Sequence, residues 1–184
     1  MSLPVELAFV TGNEHKFREA EEILKGVVRL HWRRESYREV QAETLEEVAK
    51  EALREIPGDS FFIEDAGLFI HALNGFPGVY SAYVFKKIGN EGILRLLKGE
   101  KNRGATFRSV IGLKLRGEVR LFTGEVYGRI ATEVRGREGF GYDPIFIPTG
   151  HDTTFAEDPV LKQKVSHRRR ALQELARYLT SHPP

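Results

Sequence analysis

The period of the apolar positions changes along the chain, and each change marks an element. "VELAFVT" (5–11) is a short apolar run suited to a buried strand. It leads directly into "NEHKFREAEEILK" (13–25), where Phe17, Ala20, Ile23 and Leu24 fall on one helical stripe and Asn13 is a natural N-cap. "VVRLHW" (27–32) reads as a second strand, and "TLEEVAKEALREIPG" (44–58) as a helix with a Thr44 cap, Glu47 at the capping-box position and a Pro-Gly stop. "SFFIED" (60–65) is a third strand. After the turn "NGFPG" (74–78), segments 80–88 and 90–98 have helical spacing, and 105–134 reads as two long strands joined near Arg116-Gly117. "HRRRALQELARYL" (167–179) places Ala171, Leu172, Leu175, Ala176 and Leu179 on one face of a terminal helix. This order predicts an α/β fold with a mixed sheet, in one domain over residues 1–184, since no repeat or linker divides the chain.

Composition narrows the classes of function. The net charge is only +2, with a sequence pI of about 8.8, so no overall field draws nucleic acid or membrane and any basic site is local. Small ligands come first. With no Cys there is no disulfide and no thiolate nucleophile or metal ligand. The start "MSLPVELAFVTGN" lacks a basic region followed by a long apolar stretch, and the chain reads as cytoplasmic.

Four stretches carry candidate chemistry. "TGNEHK" (Thr11, Gly12, Asn13, Glu14, His15, Lys16) sits where the first strand meets its helix, and a helix N-terminus flanked by a hydroxyl, an amide and a lysine suits an anion such as phosphate. An ordinary helix cap is the plain alternative. In "FFIEDAGLFI" the adjacent acids Glu64 and Asp65 interrupt an apolar run, at a desolvation cost that something must offset. Strand alternation sends them to opposite faces, so one can enter a site, to hold a hard cation or accept a proton, while the other is structural. Ion pairing with one of the many Arg or Lys side chains is the alternative for either. "GREGFGYDPIFIP" (136–148) places Phe140 between two of its three glycines, with Tyr142 just after, a setting for a ring that stacks on a base, or simply a loop. "KQKVSHRRR" (162–170) gathers positive charge at the entry to the last helix, where it opposes the helix dipole and invites an anionic or hydrogen-bonding partner; a solvated basic face or a docking patch for RNA is the alternative.

In this order, "TGNEHK", "REVQAETLEEVA", "EDAGLFIHALNGFPGVYSAYV", "GFGYDPIF" and "TFAE…KQKVSHRRRAL" resemble the inosine triphosphate pyrophosphatase family nearly end to end. The resemblance implies an elongated mixed sheet flanked by helices, in two lobes with the active-site cleft between them. It implies hydrolysis of ITP, dITP and XTP to the monophosphate and pyrophosphate with Mg²⁺, in a homodimer with neither nucleic acid nor membrane as partner. A related pyrophosphatase acting on modified pyrimidine or canonical nucleotides is the alternative. Residue by residue, the resemblance makes Thr11, Gly12, Asn13 and Lys16 the triphosphate cradle, within a substrate-binding turn that includes Glu14 and His15. It makes Glu39 and Asp65 the metal ligands, Asp65 also the proton acceptor for the attacking water, and leaves Glu64 a supporting role. Phe140, Gly141, Tyr142 and Asp143 match the base-binding loop, with Phe140 the stacking ring, and Lys162, His167 and Arg168 the residues that close on the base. Two departures stand out. Ala66 replaces a Ser or Thr whose hydroxyl contacts substrate, and the spacing between Glu157 and Lys162 is one residue short, with Gln163 after the lysine.

Overall fold

Asn13 both ends the first strand region and starts the first helix. The computed structural model describes residues 4–182. In it β1 (Val5–Val10) runs to Thr11, and the Asn13 carboxamide caps α1 (Glu14–Leu24) by accepting the Lys16 N–H. The helix carries the chain back to β2 (Val28–Arg33), which pairs parallel with β1, Val5 opposite Val28 and Val10 opposite Arg33. The next helix, α2 (Leu45–Glu55), has the full reciprocal capping box between Thr44 and Glu47. β3 (Phe61–Ile70) pairs parallel with β1 on its other side, and its residues from Phe61 to Asp65 are all buried.

Segments 80–88 and 90–98 of the sequence reading correspond to one helix, α3 (Ser81–Leu96), broken at Gly89, whose φ of 62° lies outside the helical range. The two long strands are β4 (Gly104–Leu115) and β5 (Glu118–Ile130), joined by Arg116 and Gly117, both at positive φ as a two-residue hairpin turn requires. The Asp59 carboxylate accepts both of their N–H groups, at 2.8 and 2.9 Å. Those bonds hold its pKa below the ordinary range. Two elements lie outside the sequence reading. β6 (Phe146–Pro148) pairs antiparallel with β5, and α4 (Pro159–Val165) precedes α5 (His167–Ser181). β6 is too short to show a period. α4 had a readable start, Asp158 as cap and Pro159 at the first position, but too few residues for an apolar stripe. Lys162 therefore stands on its own short helix, ended at Ser166, rather than at the entry to α5.

The described residues thus form five α-helices and a six-stranded mixed sheet in the order β2-β1-β3-β4-β5-β6. Contacts divide the chain into two units, and the divisions fall inside β3, β4 and β5 and at the first residue of α5. The first unit holds residues up to Asp65, Ser109–Gly124 and those from Arg168; the second holds Ala66–Arg108 and Glu125–His167. In the first, Leu7, Phe9, Phe62, Ile111, Leu172 and Leu175 form the core, with Phe9 stacked on Phe62 at 4.4 Å. In the second, Leu68, Ile93, Phe107, Ile130, Phe146 and Phe155 do so. Burying each such side chain contributes roughly 1.5–3 kcal/mol. No helix among the described residues is long and apolar enough to cross a membrane.

Candidate active site

In the first unit the strand-to-helix turn is tied down by its own groups. Thr11 Oγ1 accepts the Asn13 N–H at 3.1 Å, and Trp32 Nε1 donates to the Thr11 carbonyl at 2.9 Å. A hydroxyl that accepts still has its proton to donate, so Thr11 keeps a donor for an anion. Gly12 is informative because nothing in the chain demands it: its φ is not positive, and a Cβ there would meet only Glu35 O, at 4.0 Å. The space is open to a group approaching the backbone. Substituting Gly12→Ala is therefore expected to leave the melting temperature unchanged but to raise KM for a triphosphate on the order of tenfold, the loss of about one hydrogen bond. Steady-state kinetics beside a thermal melt would check it, and an unchanged KM would remove Gly12 from the cradle.

The two acids of β3 separate as strand alternation demands. Glu64 is buried and saturated: Ser109 Oγ donates to Oε1 at 2.8 Å, and Arg168 Nε and Lys16 Nζ approach Oε2 at 3.0 and 3.2 Å. Arg168 is itself 2% exposed and reaches Glu19 at 2.6 Å through Nη1; burial works to lower its pKa, and the Glu64 and Glu19 carboxylates outweigh it and hold the pKa above the ordinary range. Ion pairing thus accounts for Glu64. It does not account for Asp65. There Oδ1 accepts a bond from the Tyr37 hydroxyl at 3.2 Å, while Oδ2 is buried without a hydrogen-bond partner. Desolvation pushes the Asp65 carboxyl up to about 7; the Lys16 charge opposes this, the Glu39 and Glu64 charges add to it, and the Tyr37 bond opposes it again. Burial first, and then the Asp65 charge, raise the Tyr37 hydroxyl well above its ordinary value.

Among the described residues no three or more His, Cys, Asp or Glu side chains converge as a closed metal cage. A cage is not what a magnesium ion at phosphate needs, since it takes one or two carboxylates and completes its shell with water and phosphate oxygens. The buried, unpartnered Oδ2 of Asp65, with Glu39 near enough for its charge to be felt, fits that donor set.

The second unit gathers the aromatic loop. Asp143 Oδ2 accepts from the Phe140 N–H at 2.9 Å and from Lys162 Nζ at 2.7 Å, and the ammonium stands 4.4 Å from the centre of the Phe140 ring. Asp143 thereby fixes both the ring and the cation beside it. The Tyr142 ring is buried in the core, its hydroxyl donating to the Ser81 carbonyl at 2.7 Å and raised in pKa by burial. Asn90, next to the break in α3, donates to the Gly141 carbonyl at 3.1 Å. His167 is buried and lies flat on Phe107, with ring centres 4.5 Å apart.

Thr11–Lys16, Glu39, Asp65 and Arg168 thus belong to the first unit, and Ala66, Phe140–Asp143, Lys162 and His167 to the second. Ala66 is half-buried and brings no hydroxyl. Arg168 was expected with the base-closing residues, and the structure pairs it with Glu64 and Glu19. Sequence reasoning missed Tyr37, Glu19, Ser109 and Asn90. Glu19 carried a faint signal, one helical turn after Lys16; Ser109 and Asn90 carried none.

Comparison with known proteins bears on the whole chain. A dITP/XTP pyrophosphatase of Thermococcus kodakarensis is 53% identical over 180 residues, covering 95% of this chain and 97% of the relative. One of Methanopyrus kandleri is 52% identical over 180 residues, covering 95% and 96%. Among solved structures, the Ham1 protein of Staphylococcus aureus superposes with a TM-score of 0.77 at 30% identity, over 95% of this chain and 98% of its own. A HAM1 protein from Coxiella burnetii gives 0.76 at 30%, over 96% and 100%. The Ham1 family profile matches residues 7–178, so the motifs and the separated acid pair all lie within one match, and the chain belongs to the Ham1 family.

Proposed function

We propose that this protein hydrolyses non-canonical purine nucleoside triphosphates, namely ITP, dITP and XTP, to the monophosphate and pyrophosphate, with magnesium as cofactor. The names of its relatives support the substrate class. The observation that carries the chemistry is Asp65: a buried carboxyl with one oxygen unpartnered and a pKa near 7 is poised to take a proton from water at neutral pH. In this reading Thr11 and Lys16 bind phosphate oxygens, and the lysine neutralises charge that grows as the bond to the leaving pyrophosphate breaks. Asp65 accepts the proton of the water that attacks the α-phosphorus. Asp65 and Glu39 would hold the magnesium ion, which supplies Lewis-acid charge to the phosphate oxygens.

Base selection falls to the second unit's loop. The Phe140 ring, set by Asp143 and polarised by Lys162, offers a stacking surface. Lys162 and His167 supply donors for a 6-oxo purine, and adenine's 6-amino group would leave such a donor unpaired, at about 1–3 kcal/mol for a buried group. Arg168, committed to Glu64 and Glu19, supports the phosphate end instead. The same reading includes the cytoplasm as its setting and a homodimer, the latter supported by Phe76, Tyr80 and Tyr83, exposed aromatics on one short segment.

The deciding experiment is pyrophosphate release from ITP, dITP, XTP, GTP, ATP and a pyrimidine triphosphate, with Mg²⁺ and with chelator. Metal-dependent release from ITP, dITP and XTP is expected, with the others slower by at least about tenfold. Preference for a pyrimidine or for ATP would overturn the substrate class.

A further inference from the structure

Residues 34–42 join β2 to α2 without helix or strand, and they carry Glu39. The ends of this connection are held locally: the Glu35 carboxylate pairs with Arg33, and the Glu43 N–H donates to Glu47 Oε2. Its middle reaches β3 through Tyr37, whose hydroxyl lies 3.2 Å from Asp65 Oδ1 and 3.4 Å from the Glu64 carbonyl. Glu39, exposed and two residues further on, forms no hydrogen bond or ion pair with a described residue, so its place beside Asp65 is inherited from the backbone that Tyr37 pins.

The same hydroxyl divides the work of the Asp65 carboxyl. A phenol has one proton to donate, and it is aimed at Oδ1. That bond fixes rotation about the carboxyl and leaves Oδ2, buried and unpartnered, as the atom facing whatever binds there.

We infer that Tyr37 is a positioning residue of the reaction: its hydroxyl orients the Asp65 carboxyl through Oδ1 and fastens the Glu39 segment to β3. This rests on the pyrophosphatase reading for what Asp65 and Glu39 do, but the fastening is a property of the chain alone. Partners that orient a metal-binding carboxylate from behind typically matter by roughly 10–100-fold in metal affinity or activity.

Tyr37→Phe keeps the ring and removes the hydroxyl, and with it the contacts to Asp65 Oδ1 and the Glu64 carbonyl. Two readouts are taken against wild type. Backbone order parameters of residues 36–42, measured by NMR relaxation without substrate or metal, are expected to fall from about 0.85 to below about 0.6, while those in β1 and α5 and the melting temperature stay put. In ITP hydrolysis the Mg²⁺ concentration for half-maximal rate is expected to rise about tenfold or more and kcat to fall, with KM for ITP at saturating Mg²⁺ little changed. Order parameters unchanged from wild type, order parameters lowered evenly over the whole chain, or an unshifted Mg²⁺ dependence would each overturn the inference. If wild type itself fails to hydrolyse ITP, the functional reading fails, and the order parameters still decide whether Tyr37 fastens the segment.

Discussion

Replacing Asp65 by Asn is expected to abolish most pyrophosphate release and, in metal-free protein above pH 7, to raise the melting temperature. The loss of rate follows from removing the proton acceptor and part of the charge that would hold magnesium, roughly a hundredfold to ten-thousandfold. The gain in stability follows from linkage. An ordinary aspartate titrates near 4, and Asp65 near 7 because its ionised form is desolvated. Between those values the folded protein keeps a proton that the unfolded chain has released, so stability falls as pH rises from about 4 to 7 and the full cost is present above 7. Three pH units at about 1.4 kcal/mol each set an upper bound of about 4 kcal/mol. Asn carries no proton to lose and approximates the neutral carboxyl. The variant should therefore melt several degrees above wild type at pH 8, with the gap closing toward pH 4. Melts of both proteins across this range, in chelator, check it. Equal melting at pH 8 would mean that Asp65 pays no desolvation cost.

Glu64→Gln acts in the opposite direction, although the two acids are neighbours. Glu64 is 3% exposed and Arg168 is 2% exposed, so removing the carboxylate charge leaves a buried guanidinium with Glu19 as its remaining acidic partner. Breaking such a pair by removing one member costs about 3–5 kcal/mol, or roughly 10 °C in melting temperature for a chain of this size. Arg29→Gln is the control. Its pair with Glu6 lies at the surface, with both side chains 61% exposed, and its loss should cost under about 1 kcal/mol. The Glu64 charge also helps to raise the Asp65 pKa. Without it, the rise of activity with pH should move to lower pH. Denaturant unfolding of the two variants and a pH–rate profile of Glu64→Gln would test these effects; equal stability losses would contradict the buried network.

The elements that were legible in the sequence are those whose signals are local. Asn13 capping α1, Thr44 and Glu47 boxing α2 and the Arg116-Gly117 turn each depend on residues a few positions apart. The site's residue types were legible for the same reason, because "TGNEHK" and "FGYD" are contiguous. What joins them was not. Glu64 meets Ser109 across 45 positions and Arg168 across 104, and Arg168 meets Glu19 across 149, distances over which no periodicity speaks. Tyr37 looked like one more polar residue in a connection, because nothing in "ESYREV" tells where a phenol points. Strand alternation did foretell that Glu64 and Asp65 would part, and the structure adds which of them is satisfied.

Trp32 is the single tryptophan of the chain, stacked on Phe17 at 4.9 Å with its indole N–H bonded to the Thr11 carbonyl. Its emission therefore comes from one place, and that place is the back of the strand-to-helix turn. The protein carries its own optical reporter for this turn, one that needs no label and no turnover. Titrating metal or pyrophosphate against its intrinsic fluorescence would follow occupancy in variants that have lost all chemistry, and stopped-flow mixing would time arrival apart from cleavage.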